Sequence, residues 1–242
     1  MLRRYLVPAV CCIGLSVGPA FADFQAGVDA YARGDMETVV KEWEAEAENG
    51  HAGAAWLLAS LYAQGKGLPR IHARALKFYL IAAHGGHPGA QVAVGNYYRH
   101  GNDEAGVEQD YVLALRWFDA AALLADAEAQ YILAVMHREG EGVKRDRAES
   151  HRWLLLSAKK HYVPAFLKLA DIYVRGDGVM ADYVEGMKYL ELARLRTTSD
   201  EAALVNDVRD RLINGISTQE REEGADRALL WLEGNPYNKA GQ

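Results

Sequence analysis

A motif that recurs at intervals of 36, 39 and 36 residues constrains this chain more than any other feature. A short unit with that period cannot bury its apolar face alone, so its copies must stack. Ala54, Ala90, Ala129 and Ala165 are each followed eight residues later by Tyr62, Tyr98, His137 and Tyr173. Three residues before that position stands a small residue: Ala59, Gly95, Ala134 or Ala170. Three after it stands Gly65, Gly101, Gly140 or Gly176, and three of the copies add a second glycine at Gly67, Gly142 and Gly178. The second halves repeat as well. Asp110, Asp146 and Asp182 precede Trp117, Trp153 and Tyr189 by seven residues, and Phe78 takes that place in the first copy. Ala82-Ala83, Ala121-Ala122 and Ser157-Ala158 follow. The longer interval comes from three extra residues within 102–109.

Each half predicts a helix, because apolar and small residues recur every three or four positions. Glycine just past the last periodic residue is a left-handed stop. Asp146 with Glu149, Asp182 with Glu185, and Ser217 with Glu220 have capping-box spacing. The chain therefore reads as all-α, a solenoid of stacked antiparallel helix pairs. Repeats are expected at about 51–87, 88–126, 127–162 and 163–198. A capping pair at 24–50 turns at Gly34-Asp35, a second at 200–233 closes the other end, and 235–242 is a short polar tail.

The N-terminus carries a different signal. Arg3 and Arg4 precede an apolar run to Ala20, and Ala20-Phe21-Ala22 offers small residues at the two positions a signal peptidase reads. Residues 1–22 read as a signal peptide cut between Ala22 and Asp23, which places the mature protein in the periplasm or outside the cell. The run is shorter than the roughly 20 residues of a spanning helix, so no membrane insertion is expected after cleavage. Cys11 and Cys12, the two cysteines, leave with the leader, so no mature disulfide or thiolate chemistry is expected. Cleavage also takes 27 basic residues to 25 against 33 acidic ones, a net charge of −8. That balance argues against nucleic acid or an anionic membrane as partner.

At the repeat residues the chain resembles the Sel-one-like repeat family, a branch of the tetratricopeptide-like superfamily. The pattern is a small-residue helix, Tyr, Gly-x-Gly-Val, a spacer, Asp, then an aromatic and paired alanines. Gly140-Glu141-Gly142-Val143-Lys144-Arg145-Asp146 and Gly176-Asp177-Gly178-Val179-Met180-Ala181-Asp182 match it closely. Ile71 in place of Asp, His137 in place of Tyr and the longer 102–109 loop depart from it. The resemblance implies a right-handed α-solenoid, and members that serve as adaptors in signalling, envelope assembly or host contact.

Candidate chemistry is sparse. Ser157-Ala158-Lys159-Lys160 has the Ser-x-x-Lys spacing of penicillin-recognising enzymes. A cysteine-rich subset of the resembled family is linked to β-lactam binding or hydrolysis. No Lys-Thr-Gly or Ser-Asp-Asn partner is present, and Ser157 occupies a slot held by alanine in the other copies. His51, His84 and His87 lie at turns and are expected to be solvated, since adjacent repeats hold such turns roughly 10 Å apart. His137, in the aromatic slot, reads as a core histidine hydrogen-bonded to a neighbour, with a pH-sensitive role as the sharper alternative. Asp103, Glu104, Glu108 and Asp110 form an acidic loop whose spacing fits no calcium-binding hand. No catalytic residue, metal or cofactor is called for.

Binding is expected on the concave face, lined by the first helix of each pair. In tetratricopeptide register the positions are Trp56, Ser60 and Ala63; Val92, Asn96 and Arg99; Tyr131, Val135 and Arg138; and Leu167, Asp171 and Val174. Trp56, Val92, Tyr131 and Leu167 form the expected apolar stripe, with Arg99 and Arg138 as donors. Such a groove suits an extended peptide or a helix of a partner protein. The function expected is a non-enzymatic scaffold or adaptor, a regulator or assembly factor of the envelope. A β-lactam-binding or hydrolysing protein and a secreted host-contact effector are the alternatives.

Overall fold

Glycine and aspartate punctuate the chain into helices of nearly constant length. The computed structural model describes residues 19–198 and 202–235, with side chains from residue 24. Twelve α-helices are found among the described residues, with no strand beyond an isolated bridge between Asn102 and Val107. They are α1 (Pro19–Arg33), α2 (Met36–Glu48), α3 (Ala52–Gln64), α4 (His72–His84), α5 (Pro88–His100), α6 (Tyr111–Leu123), α7 (Ala127–Glu139), α8 (Arg147–Lys159), α9 (Val163–Arg175), α10 (Tyr183–Arg196), α11 (Ala202–Leu212) and α12 (Thr218–Gly234). Helices α3 with α4, α5 with α6, α7 with α8, and α9 with α10 pack as pairs, and each pair stacks on the next. The predicted signal segment lies mostly outside the described residues, and the expected Ala22–Asp23 cut falls in the first turn of α1.

The caps explain the helix boundaries. Asp110, Asp146 and Asp182 accept hydrogen bonds from the backbone N–H groups of Leu113, Glu149 and Glu185 at 2.8–2.9 Å. Of the three expected capping boxes, the one at Ser217 is complete, with Glu220 returning the bond to the Ser217 backbone. At Asp146 and Asp182 the aspartate half forms, while the two glutamates pair with Arg152 and Lys188 on their own helices instead. His51 and His87 are not simply solvated. Their Nδ1 atoms accept from Ala54 N and Ala90 N at 3.0 and 3.2 Å, so both histidines are N-caps. His84 is exposed and meets the edge of Trp117.

The core runs along the stack as three clusters of buried residues, bridged by the half-buried Tyr98, Tyr131 and Trp153. Phe78, Phe118 and Phe166 are fully buried with Leu58, Leu133, Leu154, Leu169 and Leu192. The small residues predicted three before the aromatic let the paired helices approach. Gly95 is the extreme case, since a Cβ there would stand 2.7 Å from the Phe118 ring. Gly142 is constrained twice over. Its φ is +69°, and a Cβ would meet the Tyr111 carbonyl oxygen at 2.6 Å. The turn that ends α7 therefore presses directly on the preceding pair.

The N-terminal cap is α1 with α2, which turn at Gly34, and Asp35 caps α2 by accepting from Thr38 N. The C-terminal cap differs from expectation. The segments around Glu201–Asn214 and Ser217–Glu233 do form helices, but α11 and α12 do not pack as a pair. Instead α12 lies along α10 as closely as the two helices of a repeat. Gly224 permits this, because a Cβ there would meet Met187 Cβ at 2.5 Å. Trp231 closes the end of the core against Phe166 and His161, with ring centroids 5.8 and 5.5 Å apart. Helix α11 is left to the side, touching α9 and α10 at a few points.

Candidate functional site

The concave positions predicted from register do not form one uniform groove. They divide among three clefts and a set of packing contacts. Tyr131, Leu167 and Asp171 come together in a cleft of about 360 Å³, with Pro164 and Lys168 beside them. Its far wall is α11, through Leu204, Val208 and Leu212, which register alone does not place there. Tyr131 packs on Tyr162 at 5.6 Å, and burial raises its phenol pKa while nearby Arg99 acts in the opposite direction. Asp171 is ion-paired with Arg175 one turn along α9.

A second cleft, about 350 Å³, lies between the first two repeats. It contains the predicted Ala63 and Asn96 together with His72, Tyr79, Tyr97, His100 and Asn102. A third, about 310 Å³, contains Ser60 with Val28, Tyr31 and Trp43 of the N-terminal cap. Trp56 packs between Tyr79 and His87, with centroids 5.4 and 4.7 Å away. Val92 is buried, 5 % exposed, and so belongs to the core. Val135 and Val174 are half-buried and line none of these clefts.

Arg99 and Arg138 are not free donors. Arg99 Nε lies 2.8 Å from Glu141 Oε2, with both side chains largely covered. Arg138 pairs with Asp177, which Arg147 also approaches at 3.3 Å. Glu141 and Asp177 are the middle residues of two Gly-x-Gly turns. The arginine after the aromatic slot of one repeat thus clasps the turn of the next. The signal was present in the sequence as an arginine in one repeat matched by an acid in the following turn.

The remaining candidates have structural explanations. The Ser157 hydroxyl is buried and donates to the Ala127 carbonyl at 2.6 Å, tying α8 to α7. Its oxygen faces packed backbone rather than a cleft. His137 is half-buried, and its buried Nδ1 has no hydrogen-bond partner, contrary to the expected bond to a neighbour. Asp119 lies near it: burial raises that carboxyl's pKa and His137 acts to lower it. The 102–109 loop forms a 3-10 turn over Asp103–Ala105, capped by Asn102, and folds back toward α4. Among the described residues no three histidine, cysteine, aspartate or glutamate side chains group as metal ligands, and no helix is long and apolar enough to cross a membrane.

Four stacked helix pairs with a cap at each end define an α-solenoid of helical repeats. The Sel1 repeat model matches residues 52–87, 88–126, 127–162 and 165–196, and the chain belongs to the Sel1 repeat family. Such repeats generally mediate protein–protein interaction, and the family is typically a non-catalytic scaffold. Two curated relatives are each named "Exopolysaccharide production negative regulator". The one from Rhizobium meliloti (strain 1021) is 37 % identical over 136 residues, covering 52 % of this chain and 50 % of the relative. The one from Rhizobium leguminosarum bv. viciae is 36 % identical, covering 52 % and 51 %. The chain spans about half the length of the curated relatives it matches. Among solved structures, a protective antigen present in uropathogenic Escherichia coli strains and displaying an SLR fold superimposes with a TM-score of 0.74. It is 24 % identical, with 89 % of this chain and 46 % of that one covered. A Sel1 repeat protein from Oxalobacter formigenes gives a TM-score of 0.71 at 23 % identity, with 86 % of each chain covered. These two likenesses establish the fold.

Proposed function

We propose that this protein is a non-catalytic regulator of the cell envelope that acts by binding a peptide or helical segment of a partner protein along its concave face. The single observation that carries the reading is the cleft between Tyr131, Leu167 and α11. There a half-buried tyrosine and aliphatic side chains from two separate elements face a common space. Aromatic and aliphatic groups set in such a recess are the usual anchors of a protein interface. The names of the rhizobial relatives support a regulatory role for the bound state. The leader-like N-terminus supports export, with cleavage before Asp23 and action in the periplasm or beyond it.

The test combines capture with substitution. The full-length tagged protein is expressed in its own host, and its partners are compared with those of a Tyr131→Ala, Leu204→Ala variant. The reading predicts loss of one specific partner from the variant at unchanged helicity. An identical partner set for a folded variant contradicts it. Sequencing the N-terminus of the envelope-fraction protein tests export, and a chain that begins at Met1 in the cytoplasm overturns that part.

A further inference from the structure

The arginine clasps follow a rule that the first repeat breaks. At the second and third junctions, the residue after the aromatic slot is Arg99 or Arg138. Four residues past the next slot stands its acid, Glu141 or Asp177. The equivalent pair at the first junction is Ala63 and Asn102. Both members are missing together, and the cleft of about 350 Å³ between repeats one and two has Ala63 and Asn102 in its lining. The cleft thus lies at the junction where a guanidinium and its carboxylate would otherwise sit.

What surrounds that space suits a cation. Among the described residues lining it there is no lysine or arginine. The three extra residues of the 102–109 loop belong to a fold-back that brings Glu104 to the rim, with its carboxylate 3.6 Å from His72 Nε2. The Tyr97 hydroxyl lies 2.9 Å from His72 Nδ1. Burial first, then Tyr79 and Glu104, push the Tyr97 phenol up to about 12, so it stays neutral. The rings of Tyr79 and Tyr97 stand 6.3 Å apart in the wall, and tyrosine faces attract guanidinium groups. Asn96 adds an amide oxygen, while the Asn102 Oδ1 already accepts from Ala105 N at 2.8 Å and holds the turn that carries Glu104. The chain as a whole carries a net charge of −6, which favours approach of a basic segment.

We infer that this cleft is a socket for an arginine side chain of the partner segment, which supplies from outside the guanidinium that the first junction lacks. The inference rests on the reading of the concave face as a protein-binding surface. Glu104 provides the counter-charge, the Asn96 amide accepts a hydrogen bond, and the tyrosine wall covers the flat face of the group. Arginine suits this better than lysine because a planar fork can engage the carboxylate and an amide together.

The probe is N-acetyl-L-arginine amide, titrated into the full chain and followed by amide NMR shifts, with N-acetyl-L-citrulline amide as the uncharged isostere. The arginine probe is expected to bind saturably, with shifts centred on Asn96, Tyr97 and the 102–109 loop, at least about ten-fold tighter than citrulline. Glu104→Gln should weaken it roughly five-fold, the effect of losing a partly exposed ion pair. Ala63→Arg with Asn102→Glu rebuilds the clasp and should abolish binding while leaving the unfolding midpoint no lower. No binding of the arginine probe, equal binding of citrulline, or wild-type binding by the folded clasp variant would overturn the proposal. Should the clasp variant fail to fold, an unchanged affinity in Glu104→Gln overturns it equally. A failed titration with partner capture still dependent on Tyr131 and Leu204 sinks the socket and leaves the broader reading standing; the reverse pattern sinks only that broader reading.

Discussion

Arg99 of α5 and Glu141, which sits between the glycines that end α7, meet at 2.8 Å across the junction of the second and third repeats. Their side chains are 17 % and 22 % exposed, so solvent screens the pair less than it screens an ordinary surface ion pair. In a solenoid, stability is roughly the sum of each repeat and its interface with the next, so the clasp acts on a single interface term. A double-mutant cycle on Arg99→Ala and Glu141→Ala should give a coupling of about 1 kcal/mol in urea unfolding. Additive effects would show that the pair contributes nothing beyond the packing of its stems.

Gly95 lies against Phe118 so closely that a methyl group would stand 2.7 Å from the ring. Gly95→Ala should therefore destabilise by about 1–3 kcal/mol, despite the better helix propensity of alanine. Phe118→Leu in the same chain should recover part of that loss by vacating the contact. A Gly95→Ala chain as stable as wild type would mean that α5 and α6 can separate freely, contrary to the tight core.

Ile71 occupies the N-cap of α4 with φ −138° and ψ 94° and makes no side-chain cap bond. Asp110, Asp146 and Asp182 cap the equivalent helices with φ between −142° and −143° and ψ between 97° and 104°. The backbone of Ile71 is thus already in capping geometry. Ile71→Asp should raise stability by about 1 kcal/mol, measured as a higher thermal midpoint. An unchanged or lower midpoint would show that the partly covered isoleucine packs more favourably than a cap.

Three histidines should make the fold sensitive to mild acid. Burial lowers the pKa values of His87, His151 and His161 in the folded state. Each therefore binds a proton more readily when unfolded. Their contribution is fully present above the unfolded value of 6.5 and is lost as pH falls from there through the lower folded values. For His87 the reason is concrete, since its Nδ1 must stay unprotonated to accept from Ala90 N. Thermal midpoints should fall from pH 7.5 to pH 5, and His87→Asn, which keeps a cap without titrating, should flatten the slope. A flat profile in the wild-type chain would contradict this.

Much of the fold was legible because its information is local and periodic. The spacing from Ala54 to Tyr62 to Gly65, repeated three more times, reports one helix face and its stop. The cap aspartates and the Ser217–Glu220 box are likewise readable over four residues. The site was harder to read. The partner of Arg99 lies 42 residues away and that of Arg138 lies 39 away, so no local pattern exposes either pair. Val92 was placed on an open stripe, yet it is buried among neighbouring helices whose tilt the register does not specify. The exchange of α11 for α12 against α10 turned on Gly224 and Ala228, whose four-residue spacing gives α12 the flatter face for close packing. The leucines of α11 consequently became a wall of the cleft at Tyr131.

The central claim, that the concave face holds a partner protein, is tested most directly by site-specific photocrosslinking in living cells. A photoreactive residue is placed at Leu204 or Asn96, in the two larger concave clefts, or at Lys77, exposed on α4 away from them. Crosslinks to one partner from positions 204 and 96, absent from position 77, are the predicted result. Crosslinks to that partner from position 77 alone, or equally from all three, would contradict the account.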